Sequence, residues 1–295
     1  MLTPQPQAKQ LARSLGLNTE LYLKREDLHP HGSHKGRSIP LMITKYAKSG
    51  WTDFCISSSG NAAISAAITI NEYNAKHKKS PLNLKIFVGK NIDKNKLKII
   101  KNLTNKNILL EKTAVPKQTA FQMEKYGKAK NLRQSADDTA LLGYASLARE
   151  LVKIKNLSAV FIPTSSGTAA QALHQEFTKL NLNPQIHIVQ TESCHPIADV
   201  FHLFTIKTAS TASIAGAIVD KVARRRDKVA EALKTSKGNA WVCGNKEIKS
   251  VMMLAKKTEK ITISSNSALA VAGLAQAIKN NWHFNGPVVC ILTGR

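Results

Sequence analysis

The sequence predicts an α/β protein made of two doubly wound domains with mainly parallel sheets. Three observations carry this. Short apolar runs rich in branched residues alternate with longer stretches of helical period. Several runs are followed by segments dense in Gly, Ser, Thr and Asn, as loops entering helices are. The length, 295 residues, is about twice the ~150 of a typical domain.

The runs are ELYLK (20–24), DFCIS (53–57), LKIFV (84–88), NILLE (107–111), AVFIPT (159–164), QIHIVQ (185–190), AWVCG (240–244) and PVVCILT (287–293). Continuous apolar character over so few residues is the pattern of strands buried on both faces of a parallel sheet. Residues 138–155 carry Leu141, Leu142, Ala145, Ala148, Leu151, Val152 and Ile154, close to a helical period. Ala268, Leu269, Ala272, Ala275 and Ile278 repeat it over 266–280. The polar patch GKAKNLRQSA (127–136) is the clearest boundary. The expected division is a large domain of 1–38 with 134–295, and a smaller one of 39–133.

Composition excludes several classes. With 43% hydrophobic and 21% charged residues the chain is globular, not disordered. No apolar run approaches the ~18 residues of a membrane span. MLTPQPQAKQ lacks an apolar h-region, so no secretory signal is expected. Cys55, Cys194, Cys243 and Cys290 lie in or beside apolar runs with no C-x-x-C pair. Reduced thiols in a cytoplasmic protein are the expectation, with no metal site.

The net charge of +24 invites a nucleic-acid reading. Residues 76–130 concentrate it, with fifteen Lys, no Arg and three acids. Few aromatics interleave to stack bases, and the residue that reads guanine edges is missing there. A solvated lysine-rich surface is favoured over nucleic-acid binding.

In a doubly wound fold, chemistry sits at the carboxyl ends of strands. Three such places are distinctive. In LKREDLHPHGSHKGRS (23–38), Gly32 and Ser33 form a tight turn and Lys35 opens a helix. The positive end of the helix dipole and burial both favour the neutral amine, a nucleophile for an aldehyde. In SSSGNAAISAA (57–67), small residues and the amides of a helix start suit a carboxylate, and Asn61 offers both donor and acceptor. TSSGTAA (164–170) is a phosphate cradle by composition but lacks the lysine of a nucleotide-binding P-loop.

KREDLHPHGSHKGR, SSSGNAA, SSGTA and the terminal ILTG, in this order, together resemble the fold type II family of pyridoxal-phosphate (PLP) enzymes. NLRQSADD…GYASLARE (131–150) is most similar to its threonine synthase members. The resemblance implies PLP as cofactor and Lys35 as its Schiff-base lysine and general base. Ser58, Ser59, Gly60 and Asn61 would bind the substrate carboxylate, with Asn61 touching the cofactor 3-hydroxyl. Ser165, Ser166, Gly167 and Thr168 would hold the cofactor phosphate. Thr293 would face the pyridine nitrogen, and Arg133 is the candidate for a substrate phosphate. The implied activity is a lyase performing β/γ-elimination or replacement on a small amino acid, threonine synthase-like, acting on O-phosphohomoserine. The alternatives are a serine/threonine dehydratase or a cysteine synthase-like enzyme. A basic α/β protein binding nucleic acid or another anion is the reading from a different class. The family implies a homodimer. Gly36 stands where threonine synthases usually have Asp, and the phosphate loop holds one glycine rather than a run.

Overall fold

The computed structural model describes residues 2–295 apart from 91, 93 and 203–205, and apart from the side chain of 95. The chain forms two compact units, Met1–His29 with Tyr144–Arg295, and Pro30–Gly143. Nine strands are found among the described residues: β1 (Leu21–Arg25), β2 (Asp53–Ser57), β3 (Asn83–Gly89), β4 (Ile108–Thr113), β5 (Lys130–Asn131), β6 (Ala159–Pro163), β7 (Gln185–Thr191), β8 (Asn239–Cys243) and β9 (Val288–Leu292). Every pair of neighbouring strands is parallel. Eight strands fall on the eight apolar runs. The exception is β5, whose two residues are too few to carry a pattern.

The larger unit holds the sheet β1-β9-β6-β7-β8. Its central strands β6 and β9 are buried at every residue, as strands covered on both faces must be. Helix Ser265–Lys279 packs across this sheet with Ala268, Leu269, Ala270, Val271 and Leu274 fully buried. A Cβ at Gly273 would collide with Val189, so the missing side chain lets the helix approach β7. Lys24 is also buried here. Its ammonium donates to Glu150 at 2.5 Å and to the Thr3 carbonyl at 2.8 Å, while Thr3 Oγ1 donates to Glu26 at 2.5 Å. Lys24 and Glu150 pair inside the core, and the network ties the first residues to β1.

The smaller unit holds the sheet β4-β3-β2-β5. Ile39, Met42 and Ile43 of helix Lys35–Lys48 and Ala63, Ala66 and Ile70 of helix Asn61–Lys76 pack on Phe54, Ile56, Leu84 and Ile86. Helix Pro116–Lys125 places Ala120 against Cys55 and Phe87 on the other face.

Residues 30–38 and 134–143 lie in the smaller unit, although the sequence places both with the large domain. The reason is local packing. Residues 35–38 are the first turn of helix Lys35–Lys48, and the later segment folds back on that helix. Ser38 Oγ donates to the Ala140 carbonyl at 2.9 Å, and Tyr46 OH donates to Asp137 at 2.6 Å. The single helix expected over 138–155 is two, Thr139–Leu142 and Ala145–Leu151. Gly143 separates them, pressed so tightly on the backbone of Arg37 and Ser38 that no side chain fits.

Of the fifteen lysines in 76–130, all but Lys85 and Lys130 are exposed. Lys130 pairs with Glu124 at 2.5 Å and lies 4.5 Å from the Tyr46 ring centroid. All four cysteines are buried thiols outside any disulfide. Burial raises the thiol pKa of Cys55, Cys243 and Cys290, so these groups are inert. No helix among the described residues is long and apolar enough to cross a membrane.

Candidate active site

The smaller unit supplies a reactive amine. Gly32 adopts φ +70°, a left-handed conformation that glycine takes at little cost. The buried Ser33 follows, its Oγ accepting from the Lys35 amide at 3.3 Å. Helix Lys35–Lys48 starts there with no acid in its first turn. Burial pulls the Lys35 amine from its ordinary 10.5 to about 8. A substantial neutral fraction therefore exists near pH 8, as attack on an aldehyde requires.

His31, which the sequence reading did not single out, ties this turn down. Its Nδ1 lies 2.9 Å from Ser65 Oγ, and both residues are buried. Ser65 belongs to helix Asn61–Lys76, so the contact joins the lysine turn to the helix that follows the Ser/Gly/Asn loop. Burial lowers the His31 pKa and Glu72, 3.9 Å from Nε2, opposes it; the net shift is downward.

That loop occupies the carboxyl end of β2. Gly60 N donates to Ser58 Oγ at 3.3 Å, and no side chain caps helix Asn61–Lys76. Its first amides are thus left for solvent or an anion. Ser59 is exposed; Ser58, Gly60 and Asn61 are partly so. Leu132 N donates to the Cys55 carbonyl at 2.9 Å, so the chain leaves β5 alongside the end of β2. This brings Arg133 to the same edge as Ser58–Asn61, its Nε donating to Ser135 Oγ at 3.2 Å.

The larger unit supplies the anion loop after β6. Thr164 N donates to the Val189 carbonyl at 2.9 Å and its hydroxyl to the Ile162 carbonyl at 2.8 Å. Ser165 Oγ accepts from the amides of Val219 and Asp220 at 3.1 and 3.2 Å. Ser166 Oγ lies 3.0 Å from Thr168 Oγ1. Gly167, at φ +85°, turns the chain into helix Thr168–Lys179, whose N-terminus has no side-chain cap. Thr293 follows β9, the parallel neighbour of β6, so it emerges at the edge that carries this loop. It is 7% exposed. The next residue is clamped, the Gly294 carbonyl accepting from Ser264 and Ser267 hydroxyls at 2.6 and 2.8 Å.

Each unit therefore gathers its own share. Lys35, Ser58–Asn61 and Arg133 stand in the smaller one, Ser165–Thr168 and Thr293 in the larger. Sequence reasoning missed Arg225 and Gln171 beside the anion loop. Arg225 Nη1 donates to Gln171 Oε1 at 3.0 Å, and the Arg225 Cβ lies 3.5 Å from where a Cβ on Gly167 would stand. Gln171 Nε2 is buried without a hydrogen-bond partner. The basic run VARRRDK was visible; that Arg225 alone of its three arginines is buried was not.

Two parallel α/β units, a buried helix-start lysine and a loop with uncapped helix amides fit a PLP enzyme of fold type II. The chain belongs to the pyridoxal-phosphate-dependent enzyme family, whose pattern matches residues 2–294. It is 25% identical to the threonine synthase of Methanocaldococcus jannaschii over 99% of this chain and 74% of that one. It is 26% identical to the threonine synthase of Mycobacterium tuberculosis over 99% of this chain and 80% of that one. Its fold matches the solved threonine deaminase isoform 2 of Solanum lycopersicum with a TM-score of 0.81, at 18% identity over 99% of this chain and 83% of that one. PLP is its cofactor. The donor set fits that group: hydroxyls and uncapped helix amides for a phosphate, and a near-neutral amine for an aldehyde.

Proposed function

We propose that the chain is a threonine synthase-like lyase that converts O-phosphohomoserine and water to threonine and phosphate. The carrying observation is Arg133. It stands at the same sheet edge as the carboxylate-type loop Ser58–Asn61. An unphosphorylated amino acid gives a guanidinium there no second anion to bind, whereas a phosphate suits its paired donors. This favours a phosphorylated substrate over the serine/threonine dehydratase and cysteine synthase-like alternatives.

In this reading Ser165, Ser166, Gly167 and Thr168 hold the PLP phosphate with loop amides and the helix start. PLP, when bound, supplies the electron sink that makes loss of a proton next to the amino group feasible. Lys35, neutral above about pH 8, accepts that proton at Nζ. Asn61 and the amides beside it orient the carboxylate, and Arg133 holds the phosphate that leaves. Thr293 offers a neutral hydroxyl to the pyridine nitrogen, which suits elimination and replacement better than transamination.

Incubation of the holoenzyme with O-phosphohomoserine, serine, threonine and O-acetylserine, with product identification, tests the assignment. Threonine and phosphate from O-phosphohomoserine are expected, and Arg133→Leu should raise KM for that substrate about tenfold or more. Turnover of serine or threonine to keto acids, with O-phosphohomoserine untouched, would reject it in favour of the dehydratase.

A further inference from the structure

We propose that the smaller unit carries a second binding site, apart from the reactive loops, for a small organic dianion: a phosphate monoester or a dicarboxylate. The amino ends of β2, β3 and β4 frame a cavity of about 260 Å³ there. In a parallel sheet this edge is opposite the one that bears Ser58–Asn61 and Arg133, so the cavity does not belong to the site described above.

Lys85, Lys106 and Lys128 line the cavity against one acid, Asp53. Asp53 is already engaged. Its Oδ1 accepts from Asn83 Nδ2 at 3.2 Å and its Oδ2 from Thr52 Oγ1 at 2.8 Å. Asn83 Oδ1 accepts in turn from Asn107 Nδ2 at 2.8 Å, so the rim is ordered across three strand starts. None of the three lysine side chains makes a hydrogen bond or ion pair among the described residues.

Lys85 decides the matter. Thirteen of the fifteen lysines in this stretch are exposed, and the half-buried Lys130 has Glu124 as counter-charge. Lys85 is half-buried and makes no ion pair among the described residues. Register sets it beside Cys55 of β2, on the face where Phe87, two residues on, is packed in the core under helix Pro116–Lys125. The Lys85 stem lies along the core while its ammonium, unpaired among the described residues, stands at the cavity wall, where it can donate a charge-assisted hydrogen bond to an organic anion. Leu109, Met123 and Ala129 add an apolar wall, which bare phosphate cannot use but a carbon skeleton can. The volume is just below the ~300–1,000 Å³ of sites for drug-sized ligands, which argues against a nucleotide.

The test uses the PLP-loaded protein and probes without an amino group, which cannot act as amino-acid substrates. Phenyl phosphate, succinate and inorganic phosphate are titrated by calorimetry at constant ionic strength, with amide shifts read by NMR. Saturable binding of phenyl phosphate, succinate or both, tighter than inorganic phosphate, is expected, with shifts at Leu84, Lys85 and Ala129. Which of the two binds tighter separates the phosphate monoester from the dicarboxylate. Lys85→Met, which keeps the apolar stem, should weaken binding about tenfold. Lys79→Met should leave it unchanged. If Lys85→Met does not fold, the pair Lys106→Met with Lys128→Met serves, with the same loss expected. No saturation by either organic probe, equal affinity in the variants, or a change in the visible PLP absorbance on probe addition would overturn the proposal.

Discussion

Two loops of nearly the same composition, SSSGN at 57–61 and SSGT at 165–168, are built in opposite ways. The second is locked. Its hydroxyls are taken up by Val219, Asp220 and each other, and Gly167 is held at φ +85° with Val229 Cγ2 2.6 Å from the position of a Cβ. The first is open. Ser58 bonds the Gly60 amide, Ser59 is exposed, and nothing lies within 4 Å of a Cβ at Gly60. Both present uncapped helix amides, so both can bind an anion. The difference lies in what surrounds them. A loop fixed in advance suits a resident group, because no ordering is left to do on binding. A loose one suits a substrate that must enter and leave. Composition alone marks where an anion can bind; the neighbours decide how long it stays.

The largest effect is expected at Lys35, on the open side. Lys35→Ala should lower turnover at least about a thousandfold, since a positioned acid–base group alone contributes 10²–10⁴. Borohydride reduction of the PLP-loaded parent followed by peptide mapping should label Lys35, and a different labelled lysine would end the role proposed for Lys35. Gly167→Val comes next and attacks the locked side. The new side chain meets Val229 and a left-handed backbone at once. PLP affinity, followed by absorbance, should fall about a hundredfold, with a loss of about 1–3 kcal/mol in stability. Unchanged PLP affinity in a folded variant would mean the locked loop holds something else.

The pH dependence of apoprotein stability sharpens the contrast further. The folded-state pKa of Lys35 is about 8, below the ordinary 10.5. Between these values the unfolded chain binds more protons, so this group's contribution to stability rises with pH. Below about pH 8 the amine is charged in both states and its burial is a full penalty. Lys35→Met should therefore melt higher than the parent below pH 8, and the gap should close as pH climbs toward 10.5. A gap independent of pH would show that the amine is not held away from water. Ser65→Ala is a smaller perturbation. It strips the buried His31 of a partner at 2.9 Å and should cost about 1–3 kcal/mol, read by urea denaturation.

Much of this architecture was legible without coordinates. Eight strands fell on apolar runs; two-sided burial accounts for β6 and β9, whereas β4 buries only Ile108 and was marked by its apolar start alone. The helix start at Lys35 was legible because Gly-Ser ahead of it is a local turn signal. What failed was what only tertiary packing decides. β5 pairs through two residues and has no period to read. The break at Gly143 comes from the backbone of a helix about a hundred residues earlier in the chain. The domain boundaries moved because residues 134–143 pack back on helix Lys35–Lys48. The His31–Ser65 and Arg225–Gln171 pairs join residues 34 and 54 positions apart, and nothing local marks either partner.

The smallest expected effect is at Gly60, and it bears most directly on the comparison. Gly60 and Gly167 occupy equivalent places, each the residue before a helix that no side chain caps. If glycine were present at both for the same reason, Ala would be equally harmful at both. The geometry argues otherwise. Gly167 needs a positive φ and has no room for a Cβ, whereas Gly60 has φ −137° and open space around it. Gly60→Ala should change stability by no more than about 0.5 kcal/mol, with the reduced freedom of the unfolded chain offsetting any local strain. PLP affinity should stay at the parent value. With Ser58–Asn61 binding the substrate carboxylate as proposed, the added methyl group should raise KM several-fold with kcat little changed. Thermal melts, PLP titration and steady-state kinetics on Gly60→Ala beside Gly167→Ala separate the three readouts. A Gly60→Ala variant that loses PLP while keeping its KM would reverse the roles given to the two loops.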